Sequence, residues 1–361
     1  MMLQPIRRLC IFAADFVYGS LLYLPLSALL LIRALAHARA DPWDESSIPR
    51  LDGKIALVTG ANAGIGYHTV KHLAAKGAKV YLAARSGSRA ASAIKRLHDE
   101  NPSIPPGNLV WLPLDLSIQA QVVDAAAELR SREQRLDILV NNAGIDPYHY
   151  TTTPEGFELT MAVNHVGHWT LTYCLLPLLK ATAAQEGSDV RIVTVSSSGE
   201  AFATDKADFI TPKDLDDPCA SPGWEASSLA QAKRYGKSKM ANVLFAAELQ
   251  RRMDAEGVDI ISISLNPGPV KTQGAADVLP FVVRPMVWLF FKDPAEGAQT
   301  TLFAAAAAEI REEKERWKGG YLDGPGKLKS PSPRARDPQV ASNLWHTTES
   351  AVRAIGVLDK S

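Results

Sequence analysis

Residues 55–66 read Ile-Ala-Leu-Val-Thr-Gly-Ala-Asn-Ala-Gly-Ile-Gly, and the turn Thr59-Gly60-Ala61-Asn62-Ala63-Gly64-Ile65-Gly66 within them decides the fold. Residues 55–59 form a short apolar run rich in branched side chains, the pattern of a strand buried on both faces. Beyond the turn, Ile65, Val70, Leu73 and Ala74 fall at helical spacing, and Gly77 closes the pattern. Glycines at such a strand–helix junction let the backbone approach a pyrophosphate. The helix N-terminus adds unpaired N–H groups and partial positive charge. The spacing is G-x-x-x-G-x-G rather than G-x-G-x-x-G, so the turn alone also fits a tight connection that binds nothing.

Working outward, strands and helices alternate. Strands are expected over 79–84, 109–114, 138–140, 190–195 and 259–265. Helices are expected around 89–98, 118–130, 157–180 and 237–252, with a further terminal helix over 339–355. Alternation at this spacing predicts an α/β fold, a doubly wound parallel sheet (a Rossmann fold) with helices on both faces. In open parallel sheets, ligands sit outside the carboxyl ends of the strands. Four further polar groups belong there. Leu114-Asp115-Leu116 ends the third strand, Asn141-Asn142-Ala143-Gly144 the fourth and Ser196-Ser197-Ser198 the fifth, while Tyr235-Gly236-Lys237-Ser238-Lys239 opens the following helix.

These ordered motifs resemble the short-chain dehydrogenase/reductase family over roughly residues 51–322. Residues 235–245 (YGKSKMANVLF) and 163–168 (VNHVGH) resemble its retinol-dehydrogenase-like branch. The chemistry stands beside that resemblance. Tyr235 and Lys239 are four residues apart, so on a helix they share one face. An ammonium close to a phenol stabilises phenolate, which suits the phenol to general acid/base work on a carbinol oxygen. A Tyr–Lys pair by itself is more often an ordinary surface pair. Chemistry alone does not choose among the three serines. The resemblance selects Ser197 as the hydrogen-bond donor to the reacting oxygen and Asn164 as the holder of a water beside the lysine. His165 and His168 have no carboxylate or cysteine at ligand spacing, so no metal site is expected.

The second strand ends Ala83-Ala84-Arg85, with no acid to bond a ribose 2′-hydroxyl. Arg85 therefore favours a 2′-phosphate and NADP(H) as cofactor. The turn residues Gly60, Asn62, Gly64, Ile65 and Gly66 would hold its pyrophosphate. The resemblance further implies Asp115 at the adenine, Asn142 beside the adenosine ribose, and Tyr235 and Lys239 on the nicotinamide ribose. It also implies Val270 and Thr272 at the nicotinamide amide, in a loop that reads Asn266-Pro267-Gly268-Pro269-Val270-Lys271-Thr272.

Composition bounds the rest. The 361 residues carry 39 basic and 39 acidic side chains, so the net charge is zero and a nucleic-acid partner is not expected. Cys10, Cys174 and Cys219 are too few and too far apart for a disulfide framework or a zinc cluster. Residues 16–32 hold no charge, and the apolar stretch extends back to Leu9 with Asp15 as its one acid. A membrane helix needs roughly 20 apolar residues. Residues 1–40 are therefore read as a single-pass anchor, placing the protein at the endoplasmic reticulum with a cytosolic catalytic domain. A cleaved signal peptide and a buried or surface-lying helix are the competing readings. Residues 41–50 read as a linker, 51–325 as the catalytic domain and 326–361 as a basic, Pro-rich tail. The long connection 199–234 suggests a lid or binding loop. The apolar stretch 278–291 fits a lid, a second membrane contact or ordinary core. Together these imply a lipophilic alcohol, ketone or aldehyde as substrate, acted on by a carbonyl reductase, and allow a homo-oligomer. Reduction of a polarised C=C bond on the same scaffold and a non-catalytic, membrane-held nucleotide-binding scaffold are the alternatives.

Overall fold

The first strand, β1 (Ile55–Thr59), is buried along its whole length, and its side chains divide between two cores. Ile55 and Leu57 enter one hydrophobic cluster; Ala56 and Val58 enter the other. That division follows from the two-residue side-chain period of a strand and requires cover on both faces. The computed structural model describes residues 43–145, 149–203, 207–271 and 291–358. All of them except Phe291 belong to one unit.

The strands that follow β1 are β2 (Lys79–Ala84), β3 (Leu109–Pro113), β4 (Ile138–Asn141), β5 (Val190–Val195), β6 (Ile260–Asn266) and β7 (Tyr321–Asp323). They form one parallel sheet in the order β3-β2-β1-β4-β5-β6-β7. The order reverses between β1 and β4, the switch point where doubly wound sheets open a crevice. The three-residue β7 is too short to show in the sequence pattern. The longer helices are α1 (Gly64–Ala75), α2 (Gly87–Glu100), α3 (Gln119–Arg132), α4 (Gly167–Ala183), α5 (Ser228–Ala255), α6 (Pro294–Ala306) and α7 (Pro338–Ala354). One core holds Leu57, Trp169, Phe245 and Trp345; the opposite one holds Val58, Leu73, Phe303 and Trp317.

Four sequence expectations are corrected. The single helix over 157–180 is instead a short turn, Leu159–Met161, a π-helical turn, Ala162–Val166, and then α4. The widened turn carries Asn164, whose amide pairs with both backbone groups of Ile145. The helix expected from Lys237 begins nine residues earlier, where Ser227 caps it by accepting the Ala230 N–H. Tyr235 thus lies about two turns inside α5 rather than at its opening. Residues 228–234 lack the apolar rhythm that would have revealed them as helix.

The supposed linker is structured from Trp43 onward: Trp43 and Ile48 are buried, and Trp43 packs edge-on against Phe303. The tail is also part of the fold. Trp345 in α7 stacks on Phe245 of α5 with ring centroids 5.9 Å apart, and Ala335 is buried. The proposed anchor, residues 278–290 of the apolar stretch, and Thr272 lie outside the described residues. Among the described residues, no helix is long and apolar enough to cross a membrane.

Candidate active site

A cavity of about 550 Å³ opens at the switch point, over the carboxyl ends of β1, β2, β3 and β4. The β1–α1 turn lines it with Gly60, Asn62, Ala63, Gly64 and Ile65. Arg85, Asp115, Asn142, Gly144 and Lys271 complete much of its wall. Gly60 and Gly64 have φ of +64° and +59°, a region that side chains other than glycine's rarely adopt. Gly66 does not line the cavity. A Cβ there would sit 2.6 Å from both Gly60 O and Asn142 Nδ2, so this glycine sets how closely α1 approaches β1.

Thr59 ties the turn to β4. Its Oγ1 accepts the Asn142 and Ala143 N–H groups, each at 2.9 Å, and Asn142 Nδ2 donates to Thr59 O at 2.8 Å. The Asn142 side chain therefore braces the cavity wall. Arg85 is 78% exposed and stands 3.9 Å from Asp115 Oδ2, while Asp115 Oδ1 accepts from both the Ser117 N–H and its hydroxyl. Val270 packs on Gly297, beside Ile65 of the cavity wall. Lys271, which the sequence reading passed over, does line it, and pairs with Asp293 at 2.9 Å.

Ser197, Tyr235, Lys239 and Asn164 converge beside this cavity. A Cβ on Gly199 would lie 3.0 Å from Tyr235 Cε1 and 3.3 Å from Ser197 Oγ, so the ring edge and the hydroxyl meet at that glycine. Lys239 Nζ is 5.7 Å from the Tyr235 ring centroid and donates to Val195 O at 3.1 Å. On the cavity side, a Cβ on Gly144 would lie 3.3 Å from both Asn164 Oδ1 and Lys239 Nζ. The structure also separates the three serines. Ser196 is buried and donates to Lys239 O at 2.7 Å, Ser198 is exposed, and Ser197 caps a short 3-10 helix by accepting the Gly199 N–H at 3.0 Å.

The two histidines are fully enclosed in the protein. His165 Nε2 lies 3.1 Å from Thr348 Oγ1, and His168 bridges Thr59 and Asn164. Burial drives their pKa values down to about 3 and about 4, so both rings are neutral at neutral pH. Among the described residues, no group of three or more potential ligands could hold a metal ion.

The long connection after Ser197 is tied down from α5. Arg234 Nη1 donates to Pro218 O at 2.8 Å and to Glu225 O at 2.9 Å, and the buried Lys237 pairs with Asp217 at 2.7 Å. Burial raises the Asp217 pKa, but Lys237 and the Cys219 N–H outweigh it and hold the carboxyl below its usual range. Phe202, Ile210, Trp224 and Leu229 remain exposed along this connection and the first turn of α5.

A family model described as short chain dehydrogenase matches residues 54–205. A short chain dehydrogenase/reductase of Colletotrichum higginsianum is 66% identical over 98% of this chain and 88% of its own length. The chain belongs to the short-chain dehydrogenase/reductase family. Retinol dehydrogenase 14 of Mus musculus is 36% identical over 84% of this chain and 86% of the relative, in line with the retinol-dehydrogenase-like motifs. The crystal structure of an NADPH-bound carbonyl reductase from chicken fatty liver matches with a TM-score of 0.52 and 25% identity, covering 78% of this chain and all of that one. This short-chain dehydrogenase/reductase is an oxidoreductase built to use a nicotinamide cofactor. Its cavity fits such a group, since Gly60, Gly64 and Gly144 line it at the strand ends and a Cβ at Gly64 would point into open space.

Proposed function

We propose that the protein is an NADP(H)-dependent oxidoreductase that interconverts a lipophilic alcohol with its ketone or aldehyde, working as a carbonyl reductase. The observation that carries this reading is the meeting of Ser197 Oγ with the Tyr235 ring edge, while Lys239 Nζ stands between that ring and the Gly144 wall of the cavity. NADPH, when bound, would supply the hydride for the carbonyl carbon. Tyr235 gives its proton to the carbonyl oxygen, and the Lys239 ammonium stabilises the phenolate left behind. Ser197 Oγ accepts the Gly199 N–H, which leaves its hydroxyl proton for the same substrate oxygen. Asn164 holds its side chain beside Lys239 and supports a water there.

Gly60, Asn62, Gly64 and Ile65 would hold the pyrophosphate, with Gly66 behind them. Asp115 and Asn142 would lie at the adenosine, and Val270 and Thr272 at the nicotinamide end. Arg85 would receive the 2′-phosphate. Its guanidinium is solvent-facing at the end of β2, and among the described residues it pairs with Asp115 at 3.9 Å, so a phosphate can recruit it at little cost. A non-catalytic scaffold would have no use for a serine, a tyrosine and a lysine gathered at one glycine-lined point. Residues 1–40 serve as the anchor, with the catalytic domain on the cytosolic side of the endoplasmic reticulum. Any homo-oligomer through the face of α5 that bears Phe245 would meet α7 first.

The test is a panel of lipophilic ketones and aldehydes offered to the full-length protein with NADPH or NADH, followed by cofactor absorbance. The reading predicts oxidation of NADPH in preference to NADH by at least one such carbonyl. Preference for NADH would remove the Arg85 assignment, and activity confined to C=C substrates would move the reaction to the alternative class. Carbonate extraction of membranes should leave the protein in the pellet; release into the supernatant would remove the anchor.

A further inference from the structure

A run of hydrogen bonds leads from the nucleotide-side turn to the turn of α5 that carries Tyr235. The Asn142 and Ala143 N–H groups donate to Thr59 Oγ1 at 2.9 Å. Thr59 Oγ1 lies 2.8 Å from His168 Nε2, and His168 Nδ1 lies 3.0 Å from Asn164 O. Asn164 Nδ2 donates to Ser238 Oγ at 3.0 Å, and Ser238 Oγ donates to Tyr235 O at 2.8 Å.

The protons in the middle are fixed by the ends. A carbonyl oxygen only accepts, so His168 carries its proton on Nδ1. Nε2 of the neutral ring is then an acceptor, and Thr59 gives it the hydroxyl proton; the other acceptor in reach, Val140 O, is farther at 3.4 Å. Thr59 Oγ1 accepts twice and donates once, which uses its whole capacity. Every bond donates toward Tyr235, an arrangement in which neighbouring bonds polarise one another favourably. Thr59, Asn164, His168 and Ser238 are all buried, so an unmade bond here carries the full penalty of a desolvated polar group.

We propose that His168 is a positioning residue: as a neutral imidazole protonated on Nδ1, it joins the nucleotide-side turn to Asn164, and through Asn164 and Ser238 to the turn that carries Tyr235. The roles of Asn164 and Tyr235 in this inference rest on the function proposed above. Without His168, the Thr59 hydroxyl loses its nearer acceptor and is left with Val140 O at 3.4 Å, and the Asn164 carbonyl loses the imidazole N–H. Asn164 is then less well held at Gly144, where its Oδ1 and Lys239 Nζ converge. The charged group whose field reaches His168 is Lys239 on α5, and His168 in turn acts on His165 on the π turn.

The experiment compares His168→Leu and His168→Asn in the full chain, with turnover expressed per NADPH-binding site. An asparagine amide can still donate to Asn164 O; leucine cannot. His168→Leu should lower kcat at least about tenfold, the equivalent of one buried group left unsatisfied, and displace the pH profile of kcat. His168→Asn should recover most of that loss. Wild-type kcat and an unmoved pH profile in His168→Leu, or equal loss in both variants, would overturn the proposal. Should His168→Leu fail to fold, Thr59→Ser against Thr59→Val reads the same link: serine keeps the donor to Nε2 and should keep kcat, whereas equal loss in both refutes it. Nitrogen-15 histidine NMR of the wild type separates this inference from the functional reading. The His168 signal, identified by its loss in His168→Asn, should show the Nδ1–H tautomer from about pH 8 to about pH 5.5. An Nε2–H tautomer would sink the His168 proposal with the functional reading intact. Full turnover in Tyr235→Phe would do the reverse.

Discussion

Lys239 Nζ stands 5.7 Å from the Tyr235 ring centroid and is held there by donating to Val195 O at 3.1 Å. The bond matters because it comes from the last residue of β5, the strand that leads directly into Ser197. Three side chains from two elements are thus referred to one backbone position. Asn242 Nδ2 donates to the same carbonyl at 3.1 Å, which fixes α5 against the end of β5 from a second point.

The buried histidines make stability depend on pH. Their folded pKa values, about 3 for His165 and about 4 for His168, lie below the ordinary 6.5 because burial disfavours the charged ring. Between those values and 6.5 the unfolded chain binds more protons than the folded one, so stability rises with pH there and falls as pH drops below about 6.5. Each histidine contributes a slope of about 1.4 kcal/mol per pH unit where the unfolded form is protonated and the folded form is not. Urea unfolding at pH 7 and pH 5 should show the loss, and His165→Phe should reduce the slope by one proton. A slope unchanged by that substitution would mean His165 does not titrate on unfolding.

Much of this architecture was readable in the sequence because burial on both sheet faces imposes continuous apolar runs. Ile55–Thr59 and Val190–Val195 announce themselves in that way. What stayed hidden depends on contacts distant in the chain. The π turn at Asn164 exists in concert with Ile145, nineteen residues away, and no local pattern encodes it. Near the start of α5, Arg234 and Lys237 reach across to the connection that precedes them, so helical periodicity fails there. Among the site residues, Tyr235, Lys239, Asn164 and one of three serines were legible as a motif. The choice of Ser197 gains physical support from the structure, where Ser196 is spent on Lys239 O and Ser197 Oγ lies with the Tyr235 ring edge at Gly199. Thr59 carried a signal that went unused, a hydroxyl at the end of an otherwise apolar strand.

Cofactor preference should turn on Arg85. Among the described residues its paired acid is Asp115, at 3.9 Å, so Arg85→Ala should leave the fold untouched. Loss of a charge-assisted bond to a 2′-phosphate is worth about 1.5–3 kcal/mol. The ratio of NADPH to NADH efficiency should therefore fall by about ten- to a hundredfold. An unchanged ratio would place the 2′-phosphate elsewhere.

The Asp217–Lys237 pair should be asymmetric. Lys237 is 2% exposed and its partner's side chain 37%, so Asp217→Asn leaves an ammonium buried without its countercharge. That should cost about 3 kcal/mol, read as a lower urea midpoint, together with faster proteolysis of the connection around Asp217. Lys237→Met keeps the volume and removes the buried charge, and should cost clearly less. A larger loss in Lys237→Met would mean that the ion pair itself, rather than the desolvated charge, governs the site.

Trp345 binds the terminal helix to the domain. It stacks on Phe245, meets Trp169 edge-on at 5.5 Å and lies under the Arg252 guanidinium at 4.3 Å. Trp345→Ala should destabilise the protein by about 3–5 kcal/mol in equilibrium unfolding. A loss below about 1 kcal/mol would show that α7 adds little to the core.

The most direct test of proton transfer is Tyr235→Phe in the full-length protein. The substitution removes one oxygen and keeps the ring that packs against Gly199. NADPH binding, followed by its fluorescence, should change by no more than about threefold, while turnover of a carbonyl substrate should fall by about a hundredfold or more. Wild-type turnover in that variant would contradict the assignment of Tyr235 as the group that moves the proton.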